Sequence, residues 1–188
     1  MNALALILAG VYVASEFGLN MVKRASSSKS QLADRGSLAL LWIVISCSMF
    51  LAFSQKYATP QFDFRTLAVP ATVIGAACFV AGLAFRWYAI IYLGRFFTVN
   101  VAIASDHKLI DGGPYRYVRH PSYSGALLAF LGIALCIGNW ASFAIIAIPI
   151  LAVFLWRIHV EEAALLRGLG DQYQIYTNRT KRLIPGIY

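Results

Sequence analysis

The chain has 188 residues, of which 60% are hydrophobic and only 13% charged, and its mean hydropathy is +0.67. That balance excludes an ordinary soluble domain, which is about half apolar and about a quarter charged. The apolar residues come in long runs, as in a membrane protein, and the length suits a single domain. A net charge of +8 invites a nucleic-acid partner, but the basic residues flank apolar runs and form no interleaved basic and aromatic surface. Their expected partner is an anionic lipid leaflet, and no nucleic acid is expected.

The first apolar segment, residues 3–22, has no basic residue ahead of it, and Lys23 and Arg24 follow it. That order predicts a retained span and not a cleaved leader. Glu16 lies inside this segment. It would cost a few kcal/mol facing lipid, so it must face the bundle or a wet cavity. Ser26, Ser27 and Ser28 lie in a short polar, basic loop, the one low-complexity stretch. The second apolar segment covers 37–54 and the third 67–92. Arg86 near the end of the third can snorkel, with Trp87, Tyr88 and Tyr92 as an interfacial belt. The fourth and fifth, 122–137 and 141–156, are separated only by Gly138 and Asn139. Both are short against the roughly 20 residues of a full span, which predicts a tight antiparallel helical hairpin packed against the rest. Cys47, Cys78 and Cys136 all fall in apolar runs without metal-ligand spacing, so they read as small buried hydrophobes and no metal is expected.

The fold expected is all-α, an integral membrane bundle of about five transmembrane helices. Residues 1–93 form a three-span membrane region. Residues 94–188 are expected to form a second region of connector, hairpin and C-terminal segment, where the candidate chemistry described below would lie, and the two to make one integrated domain. Basic residues set the orientation. Lys23, Arg24, Lys29 and Arg35 follow span one; Arg95, Lys108, Arg116 and Arg119 follow span three; Arg157, Arg167, Arg179, Lys181 and Arg182 belong to the C-terminal part. Only Lys56 and Arg65 lie on the other side. The N-terminus is therefore expected outside the cytoplasm and the C-terminus inside.

Chemistry is concentrated after Gly94. Asp111-Gly112-Gly113-Pro114 is a strong turn signal, and Pro121 is suited to the first residue of a helix. Free backbone N–H groups at that helix start would attract an electron-rich group. His120, Tyr115 and Tyr123 would surround it with hydrogen-bonding and aromatic surface able to hold a cation. A basic, aromatic interfacial turn is the plainer reading of the same residues. A second cluster follows the fifth segment: Arg157 and Glu161 are four apart and share a helix face, while Glu162 points about 100° away. An ordinary interfacial ion pair is its plainer reading. Because segment four starts where segment five ends, the two clusters should be neighbours. The tail from Gly170 reads as an amphipathic helix and a basic end that either covers this site or anchors to the membrane surface.

Taken in order, His107-Lys108-Leu109-Ile110, Gly113-Pro114-Tyr115, Arg119-His120-Pro121-Ser122-Tyr123-Ser124-Gly125, Arg157-x-x-x-Glu161-Glu162-x-x-Leu165 and Gly170-Asp171-x-Tyr173-x-x-Tyr176 resemble the isoprenylcysteine carboxyl methyltransferase family, over roughly residues 94–188. Phospholipid N-methyltransferases share parts of the hairpin-and-Glu pattern. The resemblance implies a cytoplasmic pocket for S-adenosylmethionine lined by His107, Lys108, Leu109, Ile110, Tyr115, His120, Pro121, Ser122, Tyr123 and Glu161, with Asn100 as a further polar contact. Arg157 matches the substrate-contacting arginine, so Arg157 and Glu161 are the expected catalytic pair. It implies methyl transfer by in-line displacement to a lipophilic or prenylated carboxylate. Such a carboxylate is ionised at pH 7 and needs no general base, which leaves alignment as the protein's main task. Methylation of an amine lipid is the first alternative. A transporter or non-catalytic scaffold is the second, disfavoured by polar groups gathered at one interface and not at midplane.

Overall fold

The structure, a computed structural model, describes residues 3–24, 36–97 and 109–188. Six α-helices carry the described residues: α1 (Ala3–Arg24), α2 (Gly36–Ala58), α3 (Ala68–Leu93), α4 (Pro121–Ile137), α5 (Trp140–Leu169) and α6 (Asp171–Arg179). The helices α1, α2, α3 and α5 are long and apolar enough to cross a membrane, and α4 is a shorter apolar helix. Their outward faces carry large bare hydrophobics such as Ile7, Phe17, Phe50, Val69, Val80, Ile91 and Ile148. Surfaces of that kind need lipid against them, and the chain is an integral membrane protein.

Each long helix buries one stripe at three- and four-residue spacing, as the 3.6-residue period requires. The stripe of α2 is Ser37, Leu41, Ile45, Ser48 and Ala52, and that of α5 includes Ser142, Ile146, Ile150, Val153 and Arg157. They run antiparallel: the Arg157 guanidinium donates to the Ser37 hydroxyl near one end, and the Ser142 hydroxyl donates to the Ala52 carbonyl at 2.6 Å near the other. The helices α3 and α4 meet through small residues. A β-carbon on Gly75 or Gly82 would lie 2.6 Å from the carbonyl oxygen of Gly132 or Gly125. Two glycines per helix, seven residues apart, bring the backbones together where lipid gives no hydrophobic drive to association. The helix α4 becomes the centre of the bundle, packed against α1, α3 and α5.

The expected hairpin is present. Gly138 closes α4 in the left-handed region at φ 73°, and the Asn139 side chain caps α5 by accepting from the Ser142 N–H at 3.1 Å. Three expectations change. First, α5 continues to Leu169, well past 156, because Ile158 and Ala164 extend its buried stripe. Second, Arg86 does not snorkel. It turns inward and grips Glu16, Nε to Oε1 at 2.6 Å and Nη2 to Oε2 at 2.9 Å, because Glu16 and Arg86 both fall on buried stripes. Third, only Cys136 is fully buried; Cys78 is half-buried and Cys47 exposed.

Candidate active site

The start of α4 and the second half of α5 do come together. The Tyr123 hydroxyl donates to Glu161 Oε2 at 2.7 Å. The His120 ring stacks on Tyr123 with centroids 5.5 Å apart and planes 8° from parallel, and His120 Nδ1 lies 3.9 Å from the same Glu161 oxygen. Among the described residues no hydrogen bond reaches Glu161 Oε1, and the side chain is 29% exposed. This is an acidic acceptor with spare capacity beside two stacked aromatic rings.

Helix geometry explains the position. At 1.5 Å per residue α5 is about 45 Å long, against a hydrocarbon layer of about 30 Å. With Trp140 at one boundary, Arg157 falls near the other and Glu161 just beyond it.

Glu162 does not point away from the site. Its carboxylate is held by Arg119 Nε at 2.7 Å and Arg182 Nε at 2.9 Å, with His120 Nε2 at 3.4 Å. The long α5 extension and the tail wrap around the 118–120 segment, so a residue 100° off the Arg157–Glu161 face still meets partners there. The tail lies along this segment. The Arg119 and His120 N–H groups donate to the carbonyls of Lys181 and Arg182 at 2.7 and 3.0 Å, the Arg119 guanidinium reaches the Thr180 carbonyl, and the Ser124 hydroxyl donates to the Leu183 carbonyl at 2.6 Å.

The expected residues are sorted by this arrangement. His120 caps α4 by position but makes no side-chain cap bond, and Pro121 is the first helical residue. The N–H groups of Tyr123 and Ser124 both donate to the His120 carbonyl at 3.0 and 3.1 Å, so they are not the free donors expected at a helix start. Ser122 is buried and its carbonyl accepts from Arg86 Nη1 at 3.1 Å. Tyr115 is buried, its hydroxyl donating to the Ala89 carbonyl at 3.3 Å and its carbonyl accepting from the Tyr176 hydroxyl at 2.6 Å. Burial pushes both phenols up, so each stays a donor. Leu109 and Ile110 are half-buried at the start of this segment. Asn100, His107 and Lys108 lie outside the described residues. Arg157, 2% exposed, is set among α5 and α2 with Ser37 on its guanidinium. Ser37 carries no local signal in the sequence; only the antiparallel register of α2 and α5 reveals it.

A family model described as phospholipid methyltransferase matches residues 70–172. The chain belongs to the phospholipid methyltransferase family. The match takes in α3, α4, α5 and the beginning of α6, which together build the cluster above. A protein-S-isoprenylcysteine O-methyltransferase of Schizosaccharomyces pombe is 32% identical over 146 residues, covering 77% of this chain and 58% of the relative. Protein-S-isoprenylcysteine O-methyltransferase B of Arabidopsis thaliana is 35% identical over 115 residues, covering 60% of this chain and 58% of the relative. The solved structure of a eukaryotic intramembrane Ras methyltransferase, isoprenylcysteine carboxyl methyltransferase, matches with TM-score 0.61 and 29% identity over 77% of this chain and 52% of that one. The chain thus spans little more than half the length of these relatives.

Proposed function

We propose that this chain transfers a methyl group from S-adenosylmethionine to the carboxylate of a lipophilic, isoprenylcysteine-like acceptor at the membrane–cytosol interface. The observation that carries the reading is the 2.7 Å bond from Tyr123 to Glu161, which joins the two motif halves into one cluster at one end of the bundle. The residues fit the donor. Glu161 Oε1 has capacity for its ammonium or hydroxyls, and the His120–Tyr123 stack offers an aromatic edge and face for a cation. The proposed donor-binding set is Asn100, His107, Lys108, Leu109, Ile110, Tyr115, His120, Pro121, Ser122, Tyr123 and Glu161. S-adenosylmethionine supplies an electrophilic methyl carbon on a sulfonium.

Arg157 holds the acceptor carboxylate. Its planar fork matches two carboxylate oxygens, and Ser37 fixes one arm of it in advance. Glu161 and Arg157, four residues apart on α5, set the distance between donor and acceptor. The donor reaches the site from the cytosol and the acceptor from the bilayer, with the N-terminus outside and the C-terminus in the cytosol. Membrane lipids are the remaining partners. The residue 94–188 region works as one domain with the first three helices, because α4 is central to both.

The family description favours one second reading, methylation of an amine lipid. An amine must lose a proton, and His120 at 3.9 Å from Glu161 is the base the site offers. Purified protein given labelled S-adenosylmethionine and a panel of prenylcysteine acids and amine lipids separates the two. Label in the acids is expected, with Arg157→Ala losing most turnover while donor binding survives. Label in amine lipids alone, indifferent to Arg157, supports the second reading and contradicts the first.

A further inference from the structure

Tyr173 is the one buried side chain among the described residues whose polar atom has no hydrogen-bond partner. It is 3% exposed and lies on the first turn of α6, three residues before Tyr176, with ring centroids 6.0 Å apart. The two phenols of this face fare differently. Tyr176 is tied to the Tyr115 carbonyl at 2.6 Å. Tyr173 has no hydrogen-bond partner among the described residues, although Glu162, Arg119 and Glu161 are all within electrostatic reach and its hydroxyl is pushed up by burial first and by Glu162 next. Burying a hydroxyl without a partner is costly, and a phenylalanine would fill the same volume without that cost.

We propose that the Tyr173 hydroxyl is a further donor-binding group, which hydrogen-bonds the amino-acid end of the bound methyl donor from the tail helix. This rests on the methyltransferase reading above and deepens it. The amino-acid end carries an ammonium and a carboxylate. Glu161 Oε1 suits the ammonium, and a phenol that remains protonated suits the carboxylate as a hydrogen-bond donor. The tail then contributes directly to the site: α6 brings Tyr173, and the clasp of Arg119, Glu162 and Arg182 fixes how close it comes.

Tyr173→Phe tests this in the full chain in detergent, by calorimetric titration with S-adenosylhomocysteine, which has the amino-acid end, and 5′-methylthioadenosine, which lacks it. The variant is expected to bind S-adenosylhomocysteine about tenfold more weakly, the worth of one such hydrogen bond. Its affinity for 5′-methylthioadenosine should be unchanged, and its melting temperature without ligand should be at or above that of the wild type. Unchanged affinity for both compounds overturns the proposal, as does an equal loss for both, which would place the contact at the adenosine end. A lower melting temperature overturns it too, because the hydroxyl would then be structural. Wild-type protein that binds neither compound sinks the methyltransferase reading itself. Wild-type binding with an indifferent Tyr173→Phe variant sinks this inference alone.

Discussion

The two ends of the bundle carry similar polar residues to different purpose. At the hairpin end, Asn139 bonds through both ends of its amide: it accepts from the Ser142 N–H and donates to the Thr59 carbonyl at 2.9 Å and to Asp63 Oδ1 at 2.8 Å. Lys56 completes Asp63 at 2.8 Å, and the Phe64 N–H donates to the Gly138 carbonyl at 2.9 Å. At the opposite end the same kind of network forms around Glu162, but beside it Glu161 keeps one oxygen, and Tyr173 its hydroxyl, without a partner among the described residues. Each end even has one isolated β-bridge, Asp63 with Asn139 and Val118 with Lys181. A polar cluster that closes on itself staples helices together. One that leaves a carboxylate oxygen and a hydroxyl open is where the proposed donor would bind.

That difference predicts which residues act on stability and which on binding. The largest effect is expected beneath the open cluster, at the buried Glu16–Arg86 pair. Glu16→Ala leaves an uncompensated buried guanidinium and should cost about 3–5 kcal/mol in thermal or denaturant unfolding. The double variant Glu16→Ala/Arg86→Met should recover most of it, and equal instability of single and double variants would show that the charge is not the cause. Asn139→Ala should lower stability by about 1–3 kcal/mol, through orphaned partners at the hairpin end, with donor affinity per folded molecule unchanged. A fall in affinity would mean the two ends are not separable.

A smaller effect comes from pH. Burial works upward on the Asp63 carboxyl, but the Asn139 amide and the Lys56 ammonium outweigh it and hold the group below its ordinary range. Its folded value is depressed, so its contribution is present above the unfolded value, near pH 4, and is lost as pH falls through the folded one. Melting temperature measured between roughly pH 6 and pH 3 should decline less in Asn139→Ala than in the wild type. Parallel declines would remove Asn139 from that network.

Much of this was legible in the sequence, for physical reasons. Apolar runs mark helices wherever lipid is the solvent, and Gly138 followed by Asn139 is at once a left-handed helix end and a helix cap. The meeting of Tyr123 with Glu161 follows from the short hairpin, since the start of one helix must lie beside the end of the other. What was hidden is long-range. Glu16 and Arg86 are each on a buried stripe, four residues after Tyr12 and seven after Phe79, yet nothing local says that two residues 70 apart will pair. Ser37 and Arg157, and the grip of Arg119 and Arg182 on Glu162, depend on helix register and on the return of the tail. The end of α5 was missed because hydropathy falls after Trp156 while the buried stripe continues.

The most direct measurement is a titration of S-adenosylhomocysteine into purified wild-type protein and into Glu161→Gln, each confirmed folded by its melting temperature. Saturable one-to-one binding by the wild type is predicted, with affinity lowered about tenfold or more in the variant by loss of a charged acceptor. Equal affinity in the two, or none in the wild type, would contradict the placement of the donor between α4 and α5.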